Sequence, residues 1–369
     1  MKNDELRLWY RRNGPVGPRP LAEPVLATAG AGAWLEDDSG RKLLDFSSGG
    51  SVPLGRNHPD IVNALNRVAH APAAGGVVAH DEVVLMHKLA ELVPGGMNRR
   101  VLICESGREA LAKAIELARN ETHRSNVTYL SHSCDEKLAI GRDVAAVVAH
   151  PLDGRIRQAK QACDAAGALL VDDEAGIGPG ATGRMLAIEL AEVRPDIYVL
   201  GRGWAAGFPF GACVTGSSNL RWECATEGNP VGCTLALEAI RLLEGGLLEQ
   251  GRRLAGCLER RFGALSAPKV ETELWGVGLV RTIVFRKGKN VAGGFVQKCR
   301  ELGLLLQPLS ADTVGVRPSL VASEMDIDFA AEVVGKVLTG FDKKSGSSGT
   351  AHVGLGGPGL TVRGQSPKA

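Results

Sequence analysis

No run of apolar residues in the chain approaches the length of a membrane span, and the first twenty residues, MKNDELRLWYRRNGPVGPRP, contain no apolar h-region. A membrane anchor and a secretory leader are therefore not expected, and a cytoplasmic location is. Charge of one sign is not in excess. The formal net charge is +2 and the basic residues are spread along the chain, so neither nucleic acid nor an anionic membrane is expected as a partner. The eight cysteines (Cys104, Cys134, Cys163, Cys213, Cys224, Cys233, Cys257, Cys299) include no C-x-x-C pair. A chain of this size does not need disulfides, so buried free thiols are expected rather than a bridge framework or a zinc site. The eight histidines show no ligand spacing, no metal is expected, and no internal repeat is visible.

What is present is an ordinary globular composition: 369 residues, 44% hydrophobic and 23% charged, enough for one large core and a smaller companion domain. Residues 32–46 read as a hairpin turning at Asp38-Ser39-Gly40. A glycine-rich loop, SSGGSVPLGRNHP, leads into a helix from Asp60 with Ile61, Val62, Leu65 and Val68 on one face. A second amphipathic helix covers 81–92, followed by a strand over 100–104 and a helix from Ser106 to about Arg119. Short apolar runs at 144–149, 168–171, 197–200 and 212–214 suit buried strands. Their alternation with helices predicts a doubly wound α/β sheet. Helices are expected over 230–242 and 247–262. An α+β region then follows, with strands at 279–285, 304–307 and 314–320 and helices at 291–302 and 327–338. The Gly-, Ser- and Pro-rich residues 343–369 have no periodicity and are expected to be disordered.

Two segments carry chemistry. Ser106-Gly107-Arg108-Glu109-Ala110 follows a strand and opens a helix, where free N–H groups and the positive dipole end favour a phosphate. A plain reading is equally available for S-x-x-E, a Ser106 N-cap boxed by Glu109. The second segment, Leu169 to Cys213, is an apolar strand ending in Asp172-Asp173-Glu174, followed by a glycine-flanked Arg202. The acidic run reads either as a solvated strand end or as a ligand site at the carboxyl edge of the sheet, where open α/β folds collect ligands.

Taken in order, these motifs resemble the class III aminotransferases, the pyridoxal-phosphate (PLP) enzymes of fold type I. The segment D-E-A-G-I-G-P-G-A-T-G-R from Asp173 is similar to D-E-V-Q-T-G-F-G-R-T-G-K, and the 106–110 segment to S-G-[TAS]-E-A. The resemblance covers most of residues 30 to 340. It implies a large, mainly parallel sheet domain at 51–240 and a small α+β domain at 241–341. Residues 1–50 would join the small domain, and 342–369 would form a disordered tail. It implies that Ser106, Gly107 and Arg108 hold the cofactor phosphate and that Asp173 meets the pyridine nitrogen. Thr226, in T-E-G-N-P, would reach a phosphate across a dimer interface. Arg317, in R-P-S-L, would take the substrate carboxylate, although Gly315 stands where the family has its arginine.

The departures are as informative. The family forms a Schiff base through a lysine in a Gly-Lys-Gly or Gly-Lys-Ala turn, and here that residue is Arg202. Arginine stays protonated and cannot serve as that amine. The neighbouring lysines in sequence, Lys160 and Lys269, are far away. Gly176 replaces a glutamine, and His150 stands in a glutamate position or is a surface histidine. Of the family's aromatic-His-Gly segment only Tyr129 and His132 suggest remnants. Two readings follow. One is a transaminase moving an amino group between an amino acid or amine and a 2-oxo acid, with PLP held noncovalently or not at all. The other is an inactive homologue serving as a binding or regulatory subunit, as a homodimer or in a mixed dimer with an active paralogue.

Overall fold

A computed structural model describes residues 3–13, 24–70, 78–95, 99–130, 140–216, 229–265, 271–287 and 290–344. Thr226, His132, Lys269, Cys134, Cys224 and residues 345–369 lie outside that set, and so do the expectations attached to them. The described residues divide into two compact units. One comprises Met1–Gly49, Gly55–Asn57 and residues from Arg253 onward; the other comprises Gly50–Leu54 and His58–Arg252.

The larger unit is built on a six-stranded sheet: β4 (Arg100–Cys104), β5 (Asn126–Tyr129), β6 (Val144–Ala149), β7 (Leu169–Asp173), β8 (Ile197–Leu200) and β9 (Gly211–Thr215), in the order β4-β9-β8-β7-β6-β5. β5 through β8 run parallel, and β9 is antiparallel to both of its neighbours. The central strands are buried on both faces, which is why they read as unbroken apolar runs rather than alternating ones. Two helix layers cover them. On one face lies α4 (Gly107–Thr122), whose Ala110, Ala114, Leu117 and Ala118 pack against Val148, Val171 and Val199. On the other lie α3 (His80–Leu92), α5 (Ile156–Ala166) and α6 (Pro230–Leu242), packed against Val147, Leu170, Tyr198 and Leu200. This is the doubly wound α/β architecture expected.

α2 (Pro59–Val68) begins with proline in its first turn and buries Ile61, Ala64 and Val68. Val62, expected on the apolar face, is instead exposed, as is Val84 of α3. α6 starts at Asn229, whose carboxamide oxygen accepts from Gly232 N at 2.7 Å.

The smaller unit contains α1 (Asn3–Asn13) and a sheet of β1 (Ala27–Ala31), β2 (Trp34–Asp37), β3 (Lys42–Asp45) and β12 (Leu304–Leu305). A second sheet is formed by β10 (Thr272–Val277), β11 (Val280–Phe285), β14 (Thr313–Val316) and β13 (Gln307–Pro308). Most of α7 (Leu248–Gly263), α8 (Val291–Glu301) and α9 (Glu324–Lys344) complete it. Trp34 ties the hairpin to α9 through an indole N–H donated to Asp326 at 2.8 Å and a ring contact with Phe329.

Three expectations need correction here. The strand expected over 304–307 is two strands, β12 and β13, in different sheets, with Leu306 at the break. The strand expected over 314–320 stops at Val316, so Arg317 lies just beyond β14 rather than on it. The final helix runs to Lys344, past the residue where a disordered tail was expected to begin.

Candidate functional site

The motifs read from the sequence meet in the larger unit through glycines. An added Cβ on Gly107 would lie 2.6 Å from the Ala175 methyl and 3.2 Å from Gly201 Cα; one on Gly201 would lie 2.5 Å from the Ala175 carbonyl oxygen. The N-terminus of α4, the turn after β7 and the turn after β8 therefore touch backbone to backbone, and any side chain at 107 or 201 would force them apart. Gly203 is held the same way, its Cβ position 2.6 Å from Gly50 O and 3.0 Å from Gly178 Cα. These contacts place Ser106–Arg108, Asp173 and Arg202 around one spot at the carboxyl edge of the sheet, where α/β folds bind ligands.

At the head of α4 the plain reading of S-x-x-E is present: Ser106 Oγ accepts from Glu109 N at 3.2 Å, and the Glu109 carboxylate accepts from Glu105 N at 2.9 Å. The cap does not exhaust the site. The Ser106 hydroxyl retains its proton as a donor, and Gly107 and Arg108 N–H have no intrahelical acceptor. Arg108 is exposed and adds a positive charge. Asn229, the N-cap of α6, reaches the same corner, donating to Pro209 O at 2.9 Å and to the Glu105 carboxylate at 3.2 Å.

The acidic run is not a solvated strand end. Strand alternation sends Asp173 to the α4 face with Val171, and sends Asp172 and Glu174 to the opposite side. Asp173 is half-buried; one carboxylate oxygen accepts from Ala175 N at 3.1 Å, and burial raises its pKa. No side-chain cation faces it among the described residues. Glu174 is buried and accepts from Ile188 N at 2.9 Å, its pKa pushed up to about 7, chiefly by burial. Asp172, paired across the sheet with Tyr198, is wholly buried, and neither of its oxygens has a hydrogen-bond partner. Its pKa is raised well above the ordinary value by burial, then by the Glu174 and Asp173 charges. In the sequence, the signal for Asp172 is an acidic residue at an inward-facing register of a buried strand.

Arg202 opens a single turn, Arg202–Ala205, closed by Gly207 N donating to the Arg202 carbonyl at 2.9 Å. Its side chain is exposed, and among the described residues the guanidinium has neither a hydrogen-bond acceptor nor an ion-pair partner. The described lysines of this unit are engaged elsewhere: Lys88 with Glu244, Lys113 with Glu116, and Lys160 with Asp164 and Asp196. Gly176 faces open space, and no atom lies within 4 Å of a Cβ built there. Tyr129 is exposed at the end of β5, and the His150 ring nitrogen accepts from Leu152 N at 3.3 Å just past β6. β6 and β7 pair Ala149 with Asp172, so His150 leaves the sheet at the same carboxyl edge as Asp173.

Arg317 belongs to the smaller unit. Burial lowers its pKa with no acidic group opposing that shift, and its Nε has no acceptor. Gly315 is packed under Leu309, three of whose side-chain carbons lie 3.4 Å from a Cβ built there. No group of three or more metal-ligating side chains occurs among the described residues, and no described helix is long and apolar enough to cross a membrane.

These residues can be tested against the cofactor that the motifs imply. A half-buried carboxylate lacking a side-chain cation suits a protonated pyridine nitrogen, and a helix N-terminus with an adjacent arginine suits a phosphate. The glycine contacts keep the backbone close enough to present both. The donor set fits PLP as a noncovalently held group. It does not fit PLP as a covalently held one, because position 202 offers a guanidinium in place of an amine.

The model of the family described as aminotransferase class-III matches residues 17–134 and 144–338. Among similar curated proteins, an ornithine aminotransferase of Brevibacillus brevis is 26% identical over 379 residues, spanning 85% of this chain and 94% of its own length. An acetylornithine aminotransferase of Methanosarcina acetivorans is also 26% identical, over 85% of this chain and 91% of its own. Among solved structures, an acetylornithine aminotransferase from Elizabethkingia anophelis shares the fold with a TM-score of 0.78 at 22% identity, covering 92% of this chain and all of that one. The Plasmodium falciparum ornithine delta-aminotransferase does so with a TM-score of 0.78, covering 93% of this chain. Motif order, sheet architecture and the extent of the family match agree: the chain belongs to the class III aminotransferases, a PLP-dependent family.

Proposed function

We propose that this chain is a class III aminotransferase-like protein that binds PLP, or its amine form, without a covalent bond, and that it has lost ordinary transamination between an amino acid or amine and a 2-oxo acid. The observation that supports this reading is Arg202, an exposed and unpartnered guanidinium in a turn whose backbone is otherwise intact. When bound, PLP supplies a ring that draws electrons from the substrate carbon. The residues of the chain divide into those that bind and the one that would have to move protons. Gly107 N–H, Arg108 and the Ser106 hydroxyl neutralise a phosphate, and Asp173 opposes a ring cation. Arg202 holds an anion through its planar fork and neither forms the covalent bond nor exchanges a proton near neutral pH. Loss of a general acid–base group alone slows such chemistry by about 10²- to 10⁴-fold.

A binding or regulatory subunit, as a homodimer or paired with an intact paralogue, is the role this chemistry leaves to the protein. Exposed Val78 before α3, with Val83 and Val84 on its first turn, gives the larger unit apolar surface for such an association.

The Asp173→Asn variant tests the binding half. Loss of a charge-assisted contact is worth ~1.5–3 kcal/mol, so PLP affinity measured by equilibrium dialysis should fall about 10- to 100-fold. Unchanged affinity would remove Asp173 from the site. Unaltered protein that fails to bind PLP would remove the reading altogether.

A further inference from the structure

The larger unit holds two opposite charges at one edge of its sheet, and the fold lets neither satisfy the other. Gly201 lies against the turn after β7, its Cβ position 2.9 Å from Ala175 Cα, and Gly203 lies against Gly178, its Cβ position 3.0 Å from Gly178 Cα. Gly50 closes the same contact, since a Cβ there would fall 2.7 Å from Gly176 O while one on Gly203 would fall 2.6 Å from Gly50 O. Arg202, between these two glycines, is thereby fixed alongside residues 175–178. Its guanidinium is exposed and has no acceptor or ion-pair partner among the described residues. Asp173 pairs with Val199, three residues before Arg202. Burial raises its pKa and only the Ala175 N–H works against that rise, so no cation of the chain offsets its charge.

A free carboxylate and a free guanidinium complement a ligand that is positive at one end and negative at the other. Three forms of the pyridine phosphate differ only at the carbon facing the residue at 202: the amine form carries an ammonium there, PLP an aldehyde, and the oxidised form a carboxylate. All three offer the same ring cation to Asp173 and the same phosphate to the head of α4, so those contacts do not tell them apart. Arg202 does. A guanidinium repels an ammonium, donates to an aldehyde oxygen, and grips a carboxylate through two parallel hydrogen bonds. A carboxylate also needs more room than an aldehyde. The turn beside Arg202 provides it, because a Cβ built on Gly176 meets no atom within 4 Å.

We propose that Arg202 makes this a site for the acid form, 4-pyridoxic acid 5′-phosphate, ahead of the aldehyde, and sets it against the amine form. That the ligand is a pyridine phosphate rests on the function proposed above. The order of preference rests on the guanidinium.

Equilibrium dialysis of the full chain against 4-pyridoxic acid 5′-phosphate, PLP and pyridoxamine 5′-phosphate tests it. The acid should bind most tightly and the amine most weakly, about 10- to 100-fold apart. Arg202→Met should weaken the acid and bind the amine more tightly than the unaltered protein does, a gain that misfolding does not produce. Arg202→Lys, assayed with the acid and the amine only, keeps the charge and loses the fork, so it should retain the order with a smaller gap. Three equal affinities in the unaltered protein, or an amine bound most tightly, would overturn the proposal and leave the function proposed above intact. So would an order unchanged in Arg202→Met, which would place the discrimination elsewhere. Binding of the acid without PLP would support the proposal and overturn PLP as the ligand; binding of none of the three would overturn both.

Discussion

Replacing Arg202 by lysine is expected to convert a chain that forms no covalent bond with PLP into one that forms it at that position. The expectation follows from how the turn is built. Its course is set by Gly201 against Ala175, by Gly203 against Gly50 and Gly178, and by the Gly207-to-Arg202 backbone hydrogen bond, none of which involves the side chain at 202. That side chain is exposed and makes no contact that the exchange would forfeit. An arginine-to-lysine change therefore alters the chemistry without altering the frame: a group that stays protonated is exchanged for an amine that can lose its proton and attack an aldehyde. After borohydride reduction and denaturation, peptide mass analysis should find the pyridoxyl group on residue 202 of the variant at close to full occupancy. A variant that binds PLP yet carries no label at 202 would show that the turn does not present its side chain to the ligand.

The second large effect lies on the other face of β7. Asp172 is buried without a hydrogen-bond partner, beside Glu174 and across from Tyr198. The titratable groups that act on Asp172 are Glu174 and Asp173, those on Glu174 include Glu189, and Tyr198 lies in the field of Arg99, Asp196 and Arg194. Both buried acids have folded-state pKa values raised above their unfolded ones, so the native chain holds protons that the unfolded chain releases. Stability then falls as pH rises, by ~1.4 kcal/mol per pH unit for each proton so held. For Glu174 the loss is essentially complete above pH 7; Asp172, whose pKa burial raises well above the ordinary carboxylate range, adds a decline of the same sign. Urea unfolding between pH 5 and 8 should show this decline in the unaltered protein. Asp172→Val places a β-branched apolar side chain beside Leu170 and Tyr198. It should flatten the profile and raise stability at pH 8 by about 1–4 kcal/mol. A variant that is less stable than the parent at pH 8 would mean that the Asp172 carboxylate has a partner in solution.

Much of this frame was legible in the sequence because local signals and tertiary packing agreed. Pro230 announced α6, the Asp38-Ser39-Gly40 turn announced the hairpin, and the apolar runs announced β6, β7 and β8. What escaped had weak or misleading local signals. β1 is ATAGA, mostly exposed and poor in strand formers, and β5 is four residues long at the edge of its sheet. β10 is only partly buried and contains Gly276 at φ 104°. The run Leu304 to Gln307 is uniformly apolar up to its last residue, so nothing in it marked the change of sheet at Leu306. At the site, the glycine contacts explain why the segments that carry the motifs converge. The acidic run concealed two environments, since a one-residue step along a strand reverses the face: Asp173 is presented at the α4 side, while Asp172 is sealed into the core.

On the proposed function, the chain keeps the ionic half of a PLP site and has lost the covalent half. The experiment that separates the two halves equilibrates unaltered protein with PLP, treats it with borohydride, denatures it and passes it through a desalting column. Saturable PLP binding is expected before reduction, with release of all the cofactor in the small-molecule fraction after denaturation. A pyridoxyl group that remains on any lysine of the denatured chain would contradict it.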